Sequence, residues 1–311
     1  LTALYIALDQ GERLDWYNNG LINGLLVSGV LLLFAAFLHR RFTPNPFLDL
    51  RYLRTRNIMI LGFLIVTFRM ILLRSVAVLP QFLERVHQYR PQEIGNLLVL
   101  SLAPYLVTLP TTAYFMKKVH VRIILTLGFL IVGIINYFDS KTISTEIGSD
   151  FIVQQVVGSV ALCMVVLAVM SGTVFEGRLS GAYKIPAGAY CQGAFFQIVR
   201  LFGSEASASL VRRFVQIREH FWHTKLVASV AANNQFSDRV SHLAGALAPQ
   251  AAGPLQSADT AAGVVANSVQ VQSFILAIDD TFMILSSISF ISLVAVFLMK
   301  PVPLPHQLPD A

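Results

Sequence analysis

Residues 151–175 read FIVQQVVGSVALCMVVLAVMSGTVF, a run without one charged side chain. As a helix it would rise about 37 Å, more than the roughly 30 Å of hydrocarbon in a bilayer. Comparable runs stand at 20–38, 57–80, 94–116, 121–138, 186–211 and 273–299, so the sequence predicts seven full spans. Length alone would suggest about two ordinary soluble domains. However, the 311 residues are 55% hydrophobic and only 13% charged, with a mean hydropathy of +0.64, and that excludes a water-soluble surface. The expected fold class is all-α transmembrane. Residues 1–8, LTALYIAL, include no initiator Met and no basic n-region. They read as the tail of a further helix rather than as a signal peptide, giving eight crossings with the first incomplete.

The connections set the direction. Arg40, Arg41, Arg51, Arg54 and Arg56 lie in 39–56, Lys117, Lys118 and Arg122 at 117–122, Arg178 and Lys184 in 176–185, and Lys300 precedes the C-terminus. The alternate connections hold only Arg13, Arg85, Arg90 and Lys141, against eight acidic residues: Asp9, Glu12, Asp15, Glu84, Glu93, Asp139, Glu146 and Asp150. Basic residues in short loops are retained on the cytoplasmic side. The first set is therefore expected inside, with the C-terminus, and the long segment 212–272 outside. Within 212–272, residues 214–248 suit a helix, while 249–268, rich in Ala, Gly, Pro, Gln and Ser, is expected to return flexibly. That surface is either simply solvated or a docking site for a partner. Pro46 and Pro186 suit helix starts, whereas Pro104 and Pro110 should bend 94–116.

Cys163 and Cys191 both lie in apolar runs, so no disulfide framework is expected. His220 and His223 are one helical turn apart but lack a third ligand at metal-site spacing. No nucleophile elbow, P-loop or dinucleotide fingerprint is present. Neither metal, cofactor nor nucleic acid is expected as a ligand, and an enzyme is not the favoured reading.

Three stretches carry more than generic membrane character. They are Leu8 to Trp16 (LDQGERLDW), Asn45 to Asn57 (NPFLDLRYLRTRN) and Arg200 to Ala208 (RLFGSEASA). Together they resemble the fourteen-helix branch of the major facilitator superfamily, the EmrB/QacA-like drug:proton antiporters. The resemblance implies that residues 1–38 hold the end of one helix and all of a second between two bundles. It further implies a cytoplasmic linker at 39–56, a C-terminal six-helix bundle at 57–299 and a cytoplasmic tail at 300–311. It implies proton-coupled efflux of a small molecule across a bacterial inner membrane and, in a two-membrane bacterium, a periplasmic adaptor protein as partner. Two departures stand out. The turn 117–122, KKVHVR, lacks the acidic residue usual in the family's short gate loop, and Glu205 replaces a small residue of the motif.

Four ionisable residues interrupt the spans: Arg69, Arg74, Arg200 and Glu205. Each costs roughly 2.5–3.5 kcal/mol at a helix centre, so each should face protein or water and have a partner. Counted from the cytoplasmic ends, Arg69 and Arg200 lie ~18 Å deep, and Arg74 and Glu205 ~26 Å. Matched depth and opposite charge predict an Arg74–Glu205 pair, leaving Arg69 and Arg200 toward a cavity to bind an anionic group or tune a carboxylate. The alternative is that all four lock helices together. Gln154, Gln155, Ser159 and Tyr105 are candidates to line a cavity, with Asn136, Gln192 and Gln197 as similar polar points, although such groups commonly serve as interhelical glue. Gly203, Ser204, Ala206 and Ser207, with Ala208, form a small-residue stripe for close helix packing. Asp279 and Asp280 are expected to cap the outer start of the last span. The reading is an exporter of amphipathic or toxic molecules. The alternatives are a dedicated exporter of an organic acid or other metabolite, and a membrane scaffold or enzyme.

Overall fold

A computed structural model of the chain describes residues 2–11, 14, 18–42, 55–141, 146–181, 186–232, 242 and 254–300, and every regular element among them is helical. Helices α1 (Thr2–Gly11) and α2 (Gly20–Phe42) come first. Helix α3 (Arg56–Leu73) runs through a π-helical turn at Arg74–Val78 into α4 (Leu79–His87). Then follow α5 (Pro91–Val99), α6 (Leu102–Phe115), α7 (Val121–Asp139), α8 (Ile152–Leu179), α9 (Pro186–Ala232) and α10 (Pro254–Leu298). Pro46, most of the 39–56 linker and the tail 301–311 lie outside the described residues.

Five helical stretches are long and apolar enough to cross a membrane: Arg56–His87, Pro91–Phe115, Val121–Asp139, Ile152–Leu179 and Gly263–Leu298. Gly20–Ala36 is a shorter apolar helix. The expected span 186–211 forms the first half of the longer, more polar α9. Prolines explain two irregularities. The ring of Pro80 would collide with the carbonyl of Val76, and here the backbone widens, so that the Leu79 N–H bonds to the Arg74 carbonyl five residues back. The expected span therefore does not stop at Pro80 but continues to His87. In the same way the helix breaks at Leu100–Ser101, at the carbonyl four residues before Pro104, while Pro110 is carried within α6.

Two expectations for the outer segment are corrected. The chain is helical from Pro254 onward rather than a flexible return through 268, and α10 has no helix start near Asp279. Helices of 47 and 45 residues rise about 70 and 67 Å, more than twice the hydrocarbon thickness. Neither helix needs its whole length for one crossing. Asp280 sits mid-helix and binds sideways, accepting from Arg218 Nε at 2.7 Å and Trp222 Nε1 at 2.6 Å. Arg85 on α4 braces the base, 3.4 Å from Glu219 and over the Phe274 ring at 4.6 Å.

Packing divides into two clusters. One joins α3, α7, α8 and the end of α10 through Leu61, Leu64, Leu125, Phe129, Val165 and Val296. The other joins α4, α5, α9 and α10 through Phe82, Phe151, Val211, Val215, Phe274 and Ile278. Because lipid is as apolar as leucine, helices associate in a bilayer through close approach. At Gly133 a Cβ would lie 3.3 Å from Ser289, and there Ser286 Oγ donates to the Gly133 carbonyl at 2.8 Å. Outward faces stay apolar and bare, with Leu106 77% and Val107 68% exposed, as a lipid-facing surface requires.

Candidate functional site

Polar groups inside these apolar helices gather in three places. The first is at the π-turn. Arg74 is 2% exposed and Asp139, the last residue of α7, 3%. Arg74 Nε donates to Asp139 Oδ2. Arg74 Nη1 reaches Gln155 Oε1 at 3.3 Å and Ser75 Oγ at 3.4 Å, and Gln155 Nε2 donates onward to Ser101 Oγ at 3.0 Å. A Cβ at Gly158 would lie 3.2 Å from Arg74 Nη1, so the absence of a side chain there gives the guanidinium its room. One network thus links the π-turn, the break that precedes α6, the end of α7 and the first turns of α8. This corrects the expected pairing, since the counter-ion of Arg74 is Asp139 and not Glu205. Asp139 also leaves the external connection to which its charge had assigned it. It lies 18 residues into α7, as Arg74 lies 18 residues beyond Arg56, so both are about 27 Å along their helices. The depth count that suggested Glu205 could have found Asp139.

The second place is the seam of α1, α3 and α9. Glu205 accepts from the Tyr5 hydroxyl at 3.0 Å, and Tyr5 packs edge-on against Phe202. Asp9, Gln81, Glu205 and Arg212 contribute to the wall of a cavity of about 350 Å³. Arg69 and Arg200 are both half-buried. Arg200 Nε is buried without a hydrogen-bond partner. The small residues of α9 approach α3 closely. At Gly203 a Cβ would lie 3.1 Å from Val66, and Ser207 Oγ donates to the Val66 carbonyl at 3.4 Å. Ser204 and Ala206 are half-buried beside them.

The third place is the opposite end of the bundle. Asn57 Nδ2 donates to Glu176 Oε1 and, at 3.3 Å, to the Lys300 carbonyl, while the Lys300 N–H returns to Asn57 Oδ1 at 2.9 Å. The start of α3 is thereby tied to the ends of α8 and α10. Nearby, Thr173, Gln192 and Phe196 line a second cavity, of about 430 Å³, between α8 and α9. Gln192 Nε2 donates to the Thr173 carbonyl at 2.9 Å.

Of the remaining candidates, Gln155 and Ser159 are buried in the bundle, and Ser159 bonds back to the Val156 carbonyl at 2.7 Å. Gln154 on α8 and Tyr105 on α6 are half-buried. Asn136 is fully buried, with neither side-chain atom hydrogen-bonded.

No family model matches the chain. Among curated proteins it is similar to the multidrug export protein EmrB of Haemophilus influenzae, 26% identical over 305 residues. It is also similar to the probable multidrug resistance protein EmrY of Escherichia coli K12, 26% identical over 303 residues, and to EmrB of that strain, 24% over 308. Each alignment covers 96% of this chain and 56% of the relative. The chain spans about half the length of the curated relatives it matches. Similarity at this distance, joined to five helices able to cross a bilayer, agrees with an integral membrane protein of the major facilitator kind. Asp139, Asn57, Glu176, Tyr5 and Asp280 were not singled out by sequence as site residues. Four of them sit at or near the ends of predicted spans, where charge and polarity look unremarkable.

Proposed function

We propose that the chain is the C-terminal part of a secondary active transporter that exports small molecules in exchange for protons. The observation that carries this reading is similarity to multidrug export proteins over 96% of the chain, on helices that keep charged residues inside apolar spans. In this proposal α2 belongs to the helix pair between two bundles, residues 57–299 form the C-terminal six-helix bundle, and the C-terminus is cytoplasmic. The host membrane is a bacterial inner membrane. Export then proceeds by rocking of this bundle against its counterpart, which opens a midplane cavity to each side in turn.

The geometry supports a division of labour. Arg74 with Asp139, Gln155 and Ser101 is a neutralised network that holds four segments of the chain together, which suits a bundle moving as one body. Arg69, Arg200 and Glu205 lie on the α3–α9 seam and are the candidates for substrate or proton coupling. The part of the α9–α10 pair not needed for crossing supplies an external surface for an adaptor protein. One observation favours a second reading, a dedicated exporter of an organic acid: Arg69 and Arg200 are half-buried cations in apolar spans with no carboxylate partner in the hydrogen bonds and ion pairs of the described residues.

Everted vesicles carrying the full-length protein test the transport reading. Added substrate should discharge an imposed proton gradient. A gradient insensitive to every amphipathic compound tried would reject antiport, and product formation without a gradient would point to an enzyme. A Glu205→Gln variant that exports normally with unchanged pH dependence would remove Glu205 from the coupling role.

A further inference from the structure

We propose that the cavity of about 430 Å³ between α8 and α9 binds an uncharged aromatic molecule that donates one O–H or N–H to Gln192. The inference deepens the transport reading and rests on it, because it assigns a substrate class to that transporter.

The lining selects the ligand. Met170, Val174 and Phe196 give apolar walls, and Thr173 and Gln192 bring the polar groups. Among the described residues no charged side chain lines the cavity. An ion of either sign would leave water here without a counter-charge, which is costly, whereas an apolar ring matches the walls. The volume lies within the usual range of small-molecule pockets.

One polar atom of this lining has no bond. Thr173 Oγ1 donates to the Met170 carbonyl at 2.7 Å, and Gln192 Nε2 donates to the Thr173 carbonyl at 2.9 Å. Gln192 is 5% exposed, and its Oε1 is buried with no hydrogen-bond partner. Such an acceptor has given up its bonds to water, and a donor on a ligand restores one. Gly177 of α8 makes room for the amide, since a side chain there would collide with Oε1. The torsion that turns a terminal amide is soft, so the oxygen can swing to a donor in the cavity while the stem of the side chain stays in place. Next to it, a Cβ at Gly193 would meet nothing within 4 Å, so the α9 wall offers open space at that point.

The position suits entry from the bilayer. Thr173 lies six residues before the end of α8, and Gln192 six residues after the start of α9. Both are therefore about 9 Å from the same end of the bundle. Met170, Val174 and Gly193 are exposed, so the cavity is open on that side. In the proposed orientation this is the cytoplasmic half of the membrane, into which an uncharged aromatic molecule partitions from water.

The test uses purified full-length protein in lipid nanodiscs at neutral pH, with 2-naphthol, its methyl ether and the anion 2-naphthoate as probes. Binding is read by equilibrium dialysis against empty nanodiscs of the same lipid. Naphthol should bind about fivefold tighter than the ether, the gain of one hydrogen bond to a buried acceptor, and naphthoate should bind weakest. Gln192→Leu should bring naphthol down to the affinity of the ether. Gly193→Leu should abolish binding of both without lowering the melting point, because leucine favours a helix more than glycine does. Equal affinity of naphthol and ether in the parent overturns the proposal, as would be seen if a lipid chain were the occupant. So do a preference unchanged in Gln192→Leu, unaltered binding in Gly193→Leu, and naphthoate binding tightest. If naphthol binds as expected but discharges no more gradient than in everted vesicles without the protein, the site stands and the transport reading falls. If other compounds discharge the gradient while naphthol and ether bind equally, transport stands and the site falls.

Discussion

Asp139→Asn exposes the energetics of the buried network most directly. It leaves the Arg74 guanidinium in place and removes its only counter-charge among the described residues. Breaking a buried pair from one side costs about 3–5 kcal/mol, because a charge is left without compensation. The asparagine oxygen can still accept from Nε, which returns about 1 kcal/mol. The remaining acceptors, Gln155 at 3.3 Å and Ser75 at 3.4 Å, are long and neutral and cannot replace a carboxylate. The net loss is then about 2–4 kcal/mol. At roughly 2 °C per kcal/mol for a chain of this length, the melting point should fall by about 4–8 °C. The assay is the monodisperse fraction of detergent-solubilised protein after stepped heating, at one fixed heating rate, since such unfolding is commonly irreversible. Arg74→Met combined with Asp139→Leu should recover most of the loss, because no charge then leaves water. Glu205→Gln should leave the melting point within about 1 °C of the parent, as its amide oxygen still accepts from Tyr5 and it plays no part in the Arg74 network. An Asp139→Asn protein as stable as the parent, or a Glu205→Gln protein as damaged as expected for Asp139→Asn, would refute the assignment of Asp139 as the partner of Arg74.

Two further outcomes are expected. Asp280→Ala removes the acceptor shared by Arg218 and Trp222, so in a Trp16→Phe background the Trp222 emission should shift to the red, with local stability lower by about 2 kcal/mol. An unchanged spectrum would mean that the bond does not form in solution. A reporter fused after Lys118 should be active in the cytoplasm, as the basic turn 117–122 demands. An external signal there would invert the layout and withdraw the transport proposal.

Much of the architecture was open to reading because membrane insertion depends on properties carried by contiguous residues. An uncharged run such as 151–175 crosses a bilayer whatever surrounds it, and Pro104 breaks a helix at the carbonyl four residues earlier by its own chemistry. The membrane class, the position of most spans, the cost of charges at 69, 74, 200 and 205, and the close-packing stripe at 203–207 all follow from such local facts. Pairing does not, because it depends on which helices lie side by side and how each is turned. Depth along a helix narrowed the partner of Arg74 to residues near one level, and both Glu205 and Asp139 satisfied it. Only the packing of α7 and α8 around the π-turn brought Asp139 to the guanidinium and left Glu205 to Tyr5. The helical return from Pro254 into α10 was hidden for a related reason. A polar stretch in water can be loop or helix at little difference in free energy, and here cross-helix contacts such as Arg218 and Trp222 on Asp280 decide it.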